Sequence, residues 1–147
     1  MTDRRLEDGW ISRRDDLRAR ACLGDVNAIL FLSTIMDAVE IWDDIIDKDK
    51  EIRNEDVNRV FMNLLFWLPQ NKFFEANKGY LLPIIMTCIN AWMDSDVLKT
   101  SGDERKIQAA WWLKQMGVEL YGSVAFLTGG FEHMRAISLE AREVLAH

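Results

Sequence analysis

The spacing of apolar residues between positions 26 and 48 is the sequence feature that most restricts how this chain can fold. Apolar residues recur there three and four positions apart, which is the period of a helix with one buried face. They are Phe31, Ile35, Ala38, Val39, Trp42, Ile45 and Ile46. No segment alternates polar and apolar residues as a half-buried strand does. The pattern therefore predicts an all-α fold.

Breaks in this periodicity predict a single compact bundle of five to six helices over residues 1–147. Residues 1–11 are polar and are expected to form an N-terminal arm or a short helical turn. The predicted helices cover positions 13–22, 26–48, 54–68, 80–98, 101–128 and 131–146. The boundary signals are Gly24-Asp25, Pro69, the capping-box pattern Ser101-Gly-Asp-Glu104, and Gly129-Gly130.

The sequence gives more specific predictions for two of these helices. In the helix 54–68, Asn54 is the expected cap, and five apolar residues are expected to face inward: Val57, Phe61, Leu64, Leu65 and Leu68. The helix 80–98 contains Pro83, which is tolerated only near the first turn, so the helix should begin close to position 80. Gly117, Gly122 and Ala125 are small residues that would let another helix approach closely.

Composition restricts the class of function. The chain has 147 residues and a net charge of −6, whereas a general nucleic-acid binder is usually basic. Cys22 and Cys88 have neither metal-ligand nor CxxC spacing, which indicates a reducing compartment. The longest apolar run, 80–89, is too short to cross a bilayer, and no signal peptide is present. We therefore expect a cytoplasmic protein with no nucleic-acid or membrane partner.

Five carboxylates lie along one side of the predicted helix 26–48. Asp37, Glu40, Asp43, Asp44 and Asp47 cover an arc of about 120° at about 100° per residue, opposite the apolar stripe. Like charges at this spacing repel each other by a few tenths of a kcal/mol per exposed pair. Water and salt, arginines of the helix 13–22, or a divalent cation would relieve that repulsion.

The acidic row has a spacing that suits Mg²⁺. Hard cations take oxygen ligands and often bind one or two carboxylates together with substrate phosphates. Asp43 or Asp44 lies about one turn from Asp47, and Asp37 with Glu40 offers a place for a second ion. The alternative is the ordinary solvated face of an amphipathic helix, and both interpretations stay open.

Asp43-Asp44-Ile45-Ile46-Asp47 resembles the DDxxD motif of the class I isoprenoid and terpenoid synthases. In those all-α enzymes the motif lies on a helix and binds a Mg²⁺–diphosphate substrate. The resemblance implies a metal role for Asp43, Asp44 and Asp47. The family's second metal motif is not matched here, because Asn90 is followed by Asp94 and then by Leu98.

Glu40-Ile-Trp-Asp43 resembles one acidic pair of the all-α nucleoside triphosphate pyrophosphatases, which are small bundles. Those enzymes carry an ExxE pair on one helix and an ExxD pair on another. Asp94, with Asn90 or Asp96, would have to stand for the second pair. This resemblance also implies Mg²⁺-dependent chemistry on a nucleotide.

The stretch 37–92 as a whole is similar to small uncharacterised proteins encoded by tailed bacteriophages. The similarity lies in Trp42-Asp-Asp-Ile-Ile-Asp47, in the helix that follows it, and in the turn after Leu68. It implies a phage context, in the host cytoplasm or the virion, and no particular activity.

These observations support three functions, in the following order. The first is a non-catalytic phage accessory or virion-associated protein that contacts a protein partner or a second copy of itself. The second is a Mg²⁺-dependent enzyme acting on a nucleotide or prenyl diphosphate, with metal ligands among Asp37, Asp43, Asp44 and Asp47 and with Glu40 as ligand or catalytic base. The third is a module whose acidic face binds a basic partner. Whether the protein is an enzyme stays open.

Overall fold

The structure, a computed structural model, describes residues 4–145 and the side chains of residues 13–145. The described chain contains no strand and six α-helices: α1 (Arg4–Ala21), α2 (Val26–Asp47), α3 (Asn54–Met62), α4 (Lys72–Leu98), α5 (Glu104–Lys114) and α6 (Val118–Leu145). The all-α prediction is confirmed. By its internal contacts the chain divides into two compact units, residues 25–78 and residues 1–24 with 79–147. The single domain over residues 1–147 stays a prediction.

The turn before α2 forms as its sequence predicts. Leu23 and Gly24 adopt left-handed backbone angles, with φ of 49° and 74°. The Asp25 carboxylate then caps α2 by accepting hydrogen bonds from the backbone N–H of Asn27 at 2.9 Å and of Ala28 at 3.1 Å. This cap satisfies two of the four N–H groups that begin a helix without a partner.

An aromatic cluster forms the centre of unit 25–78. The ring of buried Phe31 on α2 stacks on Phe74 with centroids 5.9 Å apart and meets Phe73 at 5.7 Å. Ile45 and Ile46, by contrast, are exposed at the end of α2. The apolar stripe predicted on this helix is therefore buried or half-buried only as far as Trp42.

The segment predicted as one helix over 54–68 is divided. The capping position is Arg53 rather than Asn54, and α3 ends at Met62. A π turn, Asn63–Trp67, and a 3₁₀ turn, Leu68–Gln70, follow it. Pro69 supplies the reason, because its ring clashes with the carbonyl four residues earlier and prevents a regular α-turn. The inward placement of Phe61 and Leu65 was also wrong, since both side chains are exposed.

Helix α4 begins at Lys72, well before the predicted start near position 80. The Asn71 side chain explains the earlier start, because its Oδ1 accepts a hydrogen bond from the Phe74 N–H at 2.8 Å and its Nδ2 donates to the Asn27 carbonyl at 2.9 Å. Pro83 consequently lies inside α4. Its own carbonyl accepts a hydrogen bond from the Thr87 hydroxyl at 2.8 Å.

Helices α1 and α6 pack against each other in the second unit. Leu17 and Ala21 of α1 are buried, and so are Gly122 and Ala125 of α6, as the small-residue spacing predicted. Helix α1 begins at Arg4 and so includes much of the stretch 1–11, which was predicted to form a polar arm or a short helical turn. Most residues of that stretch are good helix formers, and the single Gly9 costs only about 1 kcal/mol.

The helix predicted over 101–128 is interrupted. Asp103, rather than Ser101, caps α5 by accepting hydrogen bonds from two backbone N–H groups, and a 3₁₀ turn, Gln115–Gly117, separates α5 from α6. Gly117 is a poor helix former and lies in this break. The predicted boundary at 129–130 is present as a kink, with Gly130 at φ 86° and ψ −171°.

Candidate functional site

The structure places all five carboxylates of the acidic row on α2, as predicted. Glu40 is exposed, whereas Asp37, Asp43, Asp44 and Asp47 are half-buried. Among the described side chains, no group of three or more His, Cys, Asp or Glu is arranged to hold a metal ion. The metal role of these aspartates and the catalytic role of Glu40 stay predictions.

One carboxylate of the row forms an ion pair with α3. The Arg59 guanidinium donates two hydrogen bonds to Asp37, of 2.9 and 3.0 Å, and a third to Asp56, of 2.8 Å. These bonds raise the pKa of Arg59 and hold the pKa of Asp56 below its usual range. Repulsion along the row is thus relieved at Asp37 by an arginine of the third helix, which the sequence had not identified.

Two arginines of the first helix, Arg18 and Arg20, have partners outside the acidic row. Arg20 of α1 binds Asp16 on the same helix and Glu140 on α6. Arg18 donates from Nε to the Tyr121 hydroxyl at 3.3 Å. These contacts hold α1 on α6 within their own unit.

A pocket of about 680 Å³ opens beside the Asp37–Arg59 pair, within unit 25–78. One wall is a face of α2 with residues three and four positions apart, and the other is α3 with the two turns that follow it. The lining residues are Asn27, Leu30, Ser33, Thr34, Asp37, Arg59, Asn63, Trp67, Leu68, Gln70 and Asn71.

The π turn aligns the second wall. Arg59, Asn63 and Trp67 lie four positions apart, a spacing that drifts around an α-helix of about 3.6 residues per turn. A π turn takes more residues per revolution, and here the Leu68 N–H bonds to the Asn63 carbonyl five positions earlier. The wider turn brings Trp67 back over Arg59, so all three line one pocket. Such single π turns are frequent at functional sites.

The polar side chains of the pocket fall into two groups. Asn71 and Gln70 donate to backbone carbonyls, with Gln70 Nε2 at 2.8 Å from the Phe66 oxygen. Asn27, Thr34 and Asn63 are half-buried, and their side chains form no hydrogen bond within residues 13–145. The pocket therefore contains two carboxamides and a hydroxyl whose donors and acceptors are not used by the protein.

A row of apolar side chains is exposed along α4 in the other unit. It consists of Leu82, Met86, Ile89, Met93 and Val97, which are between 40% and 72% exposed and are here named the α4 row. The opposite side of α4 is buried at Leu81, Trp92 and Ser95. No charged residue occurs from position 79 to position 93.

The buried side of α4 forms hydrogen bonds with α5 and with the 3₁₀ turn that follows α5. The Ser95 hydroxyl donates to the Ala110 carbonyl at 2.7 Å, and the Cys88 thiol lies 3.2 Å from the Met116 carbonyl. Burial raises the pKa of the Cys88 thiol to about 11, with a smaller contribution from Glu119. The thiol is therefore protonated near neutral pH and is a poor nucleophile.

Within the described chain, α4 is long and apolar enough to cross a membrane by length and composition. Its most apolar 18-residue window has a mean hydropathy of 1.3, and 22% of that window is buried. The length of this helix follows from its start at Lys72, which the sequence did not predict. The absence of a membrane partner stays a prediction.

Comparison with known proteins finds no match among protein families, curated proteins or solved structures. The resemblances to isoprenoid synthases, to nucleoside triphosphate pyrophosphatases and to phage proteins stay predictions.

Proposed function

We propose that this protein is non-catalytic and acts through protein–protein contacts, and that the α4 row contacts a second copy of the chain. The exposed α4 row is the observation that carries the proposal. Its positions 82, 86, 89 and 93 alternate steps of four and three, which is the spacing of a coiled-coil seam. Side chains at this spacing stay in register with a second helix.

A helix fits the row better than a bilayer does. A membrane-spanning helix exposes apolar groups all around, whereas α4 exposes them on one side and buries Leu81, Trp92 and Ser95 on the other. The bond from Ser95 to the Ala110 carbonyl belongs to that buried side. The free surface is therefore a stripe, and a stripe of this kind is covered by packing a helix along it.

The charges at the two ends of α4 favour a second copy in the antiparallel orientation. Lys72 and Lys78 precede the row, with Glu75 between them. Asp94 and Asp96 lie at its other end, where Asp96 also pairs with Lys99 at 2.6 Å. In an antiparallel pair each basic end lies beside the acidic end of the other copy, while a parallel pair would juxtapose like charges. A two-fold axis near the middle of the row produces this arrangement from identical chains.

The expected affinity is modest. Burying a complete large apolar side chain contributes about 1.5–3 kcal/mol, so ten half-exposed side chains contribute roughly 10 kcal/mol in a pair. Lost translational and rotational freedom costs on the order of 4–15 kcal/mol. The difference is at most about 6 kcal/mol, so the dimer should form at protein concentrations of roughly tens of micromolar or higher.

Sedimentation equilibrium over roughly 10–500 µM protein tests the proposal. We expect the wild-type chain to dimerise and Met86→Lys to be monomeric, because the substitution places a charge at the centre of the seam. Thr87→Lys is the matched control. It adds the same positive charge at an exposed residue next to Met86 but outside the row, and this variant should dimerise as the wild type does. A wild-type monomer over the whole range, or equal effects of the two variants, would contradict the proposal.

A charge exchange tests the orientation. Lys78→Glu should weaken the dimer, and adding Asp96→Lys should restore it, because an antiparallel pair centred near position 87 places these two positions side by side on the same flank of the seam. Restoration is absent if the helices pair in parallel. Binding of the wild-type chain to phosphatidylcholine vesicles that Met86→Lys abolishes would show that a bilayer, rather than a second copy, covers the row.

The phage accessory or virion-associated role is part of the proposal and is supported by the sequence similarity of residues 37–92 alone. A non-catalytic role agrees with the protonated Cys88 thiol and with the engagement of Asp37 by Arg59. The Mg²⁺-dependent enzyme is the alternative, and the acidic row is the feature that supports it.

A further inference from the structure

The pocket of unit 25–78 is separate from the α4 row and from the proposed function. It has the size of a small-molecule site, for which roughly 300–1,000 Å³ is usual. A π turn shapes its second wall and interrupts the regular α-helical hydrogen bonding there. The chemistry of its lining residues identifies the class of ligand that fits.

The charges of the pocket disfavour an anion or a cation as ligand. Arg59 is the cation in the lining, and Asp37 and Asp56 already bind its guanidinium. A phosphate or carboxylate would have to displace these two carboxylates. A cationic ligand would have to compete with Arg59 for Asp37, so an uncharged ligand fits best.

The unused polar groups call for a ligand with many donors and acceptors. The carboxamides of Asn27 and Asn63 each present both a donor and an acceptor, and the Thr34 hydroxyl does the same. Asp37 retains lone pairs beyond the two that accept from Arg59 and accepts further hydrogen bonds from hydroxyl groups. A ligand that covered these groups without bonding them would leave costly buried polar atoms.

An apolar surface completes the pocket. Trp67 is more than half exposed at its edge, and its indole meets the Phe66 ring at 5.0 Å in an edge-to-face contact. Leu30 is exposed on the opposite wall. Aromatic rings of this kind combine a large apolar face with a polar edge. The ligand should therefore carry an apolar face beside its hydroxyl groups.

We propose that this pocket binds a neutral saccharide of one or two sugar units. A sugar ring carries hydroxyl groups that both donate and accept, together with C–H faces that pack on an indole. The described part of this unit has neither a sheet edge nor a cluster of basic residues at the pocket, which are two of the surfaces that commonly bind peptides. Asn27, Thr34 and Asn63 bind hydroxyl groups, and Trp67 packs on the ring.

Nuclear magnetic resonance titration of the full chain tests this site. The probes are maltose, cellobiose, lactose and N,N′-diacetylchitobiose, added to ¹⁵N-labelled protein. At least one sugar should shift the side-chain amide signals of Asn27 and Asn63. Trp67→Ala should lower the affinity by about tenfold. Trp111→Ala removes an exposed tryptophan outside the pocket and should leave the affinity unchanged.

Three outcomes would overturn the saccharide site. They are the absence of shifts at both asparagines with all four sugars, equal binding by Trp67→Ala and Trp111→Ala, and stronger shifts with inorganic phosphate or triglycine than with any sugar. Thermal melting of each variant verifies folding. Asn63→Ala serves as a second test, because it removes a ligand-binding carboxamide without changing the indole.

Discussion

At the scale of single residues, Arg59 changes what the acidic row is able to do. It binds Asp37 and Asp56 at the same time, so one carboxylate of the row shares a single positive charge with a carboxylate of α3. A cation at Asp37 would have to compete with this guanidinium. The same pair forms one end of the pocket, so it links the acidic row to the proposed sugar site.

The pair between Arg20 and Glu140 gives a pH-dependent prediction. The hydrogen bond from Arg20 holds the pKa of Glu140 below its usual value, so its contribution to stability is complete above the unfolded value of about 4.3. That contribution is lost as pH falls through the lower folded pKa. We expect Glu140→Gln to cost less than about 1 kcal/mol at neutral pH, because the pair is partly exposed and screened.

Urea unfolding at neutral pH and at about pH 2 measures this difference. The wild type and Glu140→Gln should differ at neutral pH and converge in acid. Glu143→Gln removes an exposed carboxylate on the same helix and should have little effect at either pH. A difference between wild type and Glu140→Gln that persists in acid would mean that the charge of Glu140 is not its source.

At the scale of the element, α2 carries five acidic residues. Among the described side chains, these residues do not form a group that could hold a metal ion. If the row is a solvated face, Asp44→Ala relieves repulsion and raises stability by a few tenths of a kcal/mol per like pair. Millimolar Mg²⁺ should then leave the melting temperature of both proteins unchanged. Thermal melting with and without Mg²⁺ measures both effects.

The matched control for this experiment is Asp49→Ala, which removes the same charge from the loop after α2. A melting temperature that rises with Mg²⁺ in the wild type and in this control, but not in the Asp44→Ala protein, would favour the metal-dependent alternative. The interpretation of the row as a solvated face would then have to be abandoned.

At the scale of the whole molecule, one compact unit is built from both ends of the chain, residues 1–24 and 79–147. Leu17 of α1 is fully buried in this unit, in which α1 packs on α6. Leu17→Ala should lower the free energy of unfolding by about 2–5 kcal/mol, because the cavity persists where two helices meet. Leu139→Ala truncates an exposed leucine of α6 and should change the free energy of unfolding by less than about 0.5 kcal/mol.

Denaturant unfolding of both variants makes this comparison. Equal effects of Leu17→Ala and Leu139→Ala would mean that α1 contributes little to the unit.

The features that the sequence determined by itself are those made by residues a few positions apart. Periodicity predicted the bounds of helix α2 to within one residue. The Asp25 side chain caps that helix through backbone N–H groups two and three residues further along the chain. Gly130 breaks the regular geometry of α6 at the position that the glycine pair predicted. A cap or a glycine acts over roughly one turn, so its effect is readable without knowing what packs around it.

Tertiary structure decided the features that depend on distant partners. Asn71 caps α4 and also binds the Asn27 carbonyl, and Arg59 finds Asp37 on another helix. Phe61, Leu65 and the α4 row are exposed because no described helix covers them. The spacing of apolar residues shows that a helix has an apolar face, but it does not show whether another helix packs against that face. The acidic row was therefore visible in the sequence, whereas the pocket beside it exists only because α2 and α3 meet.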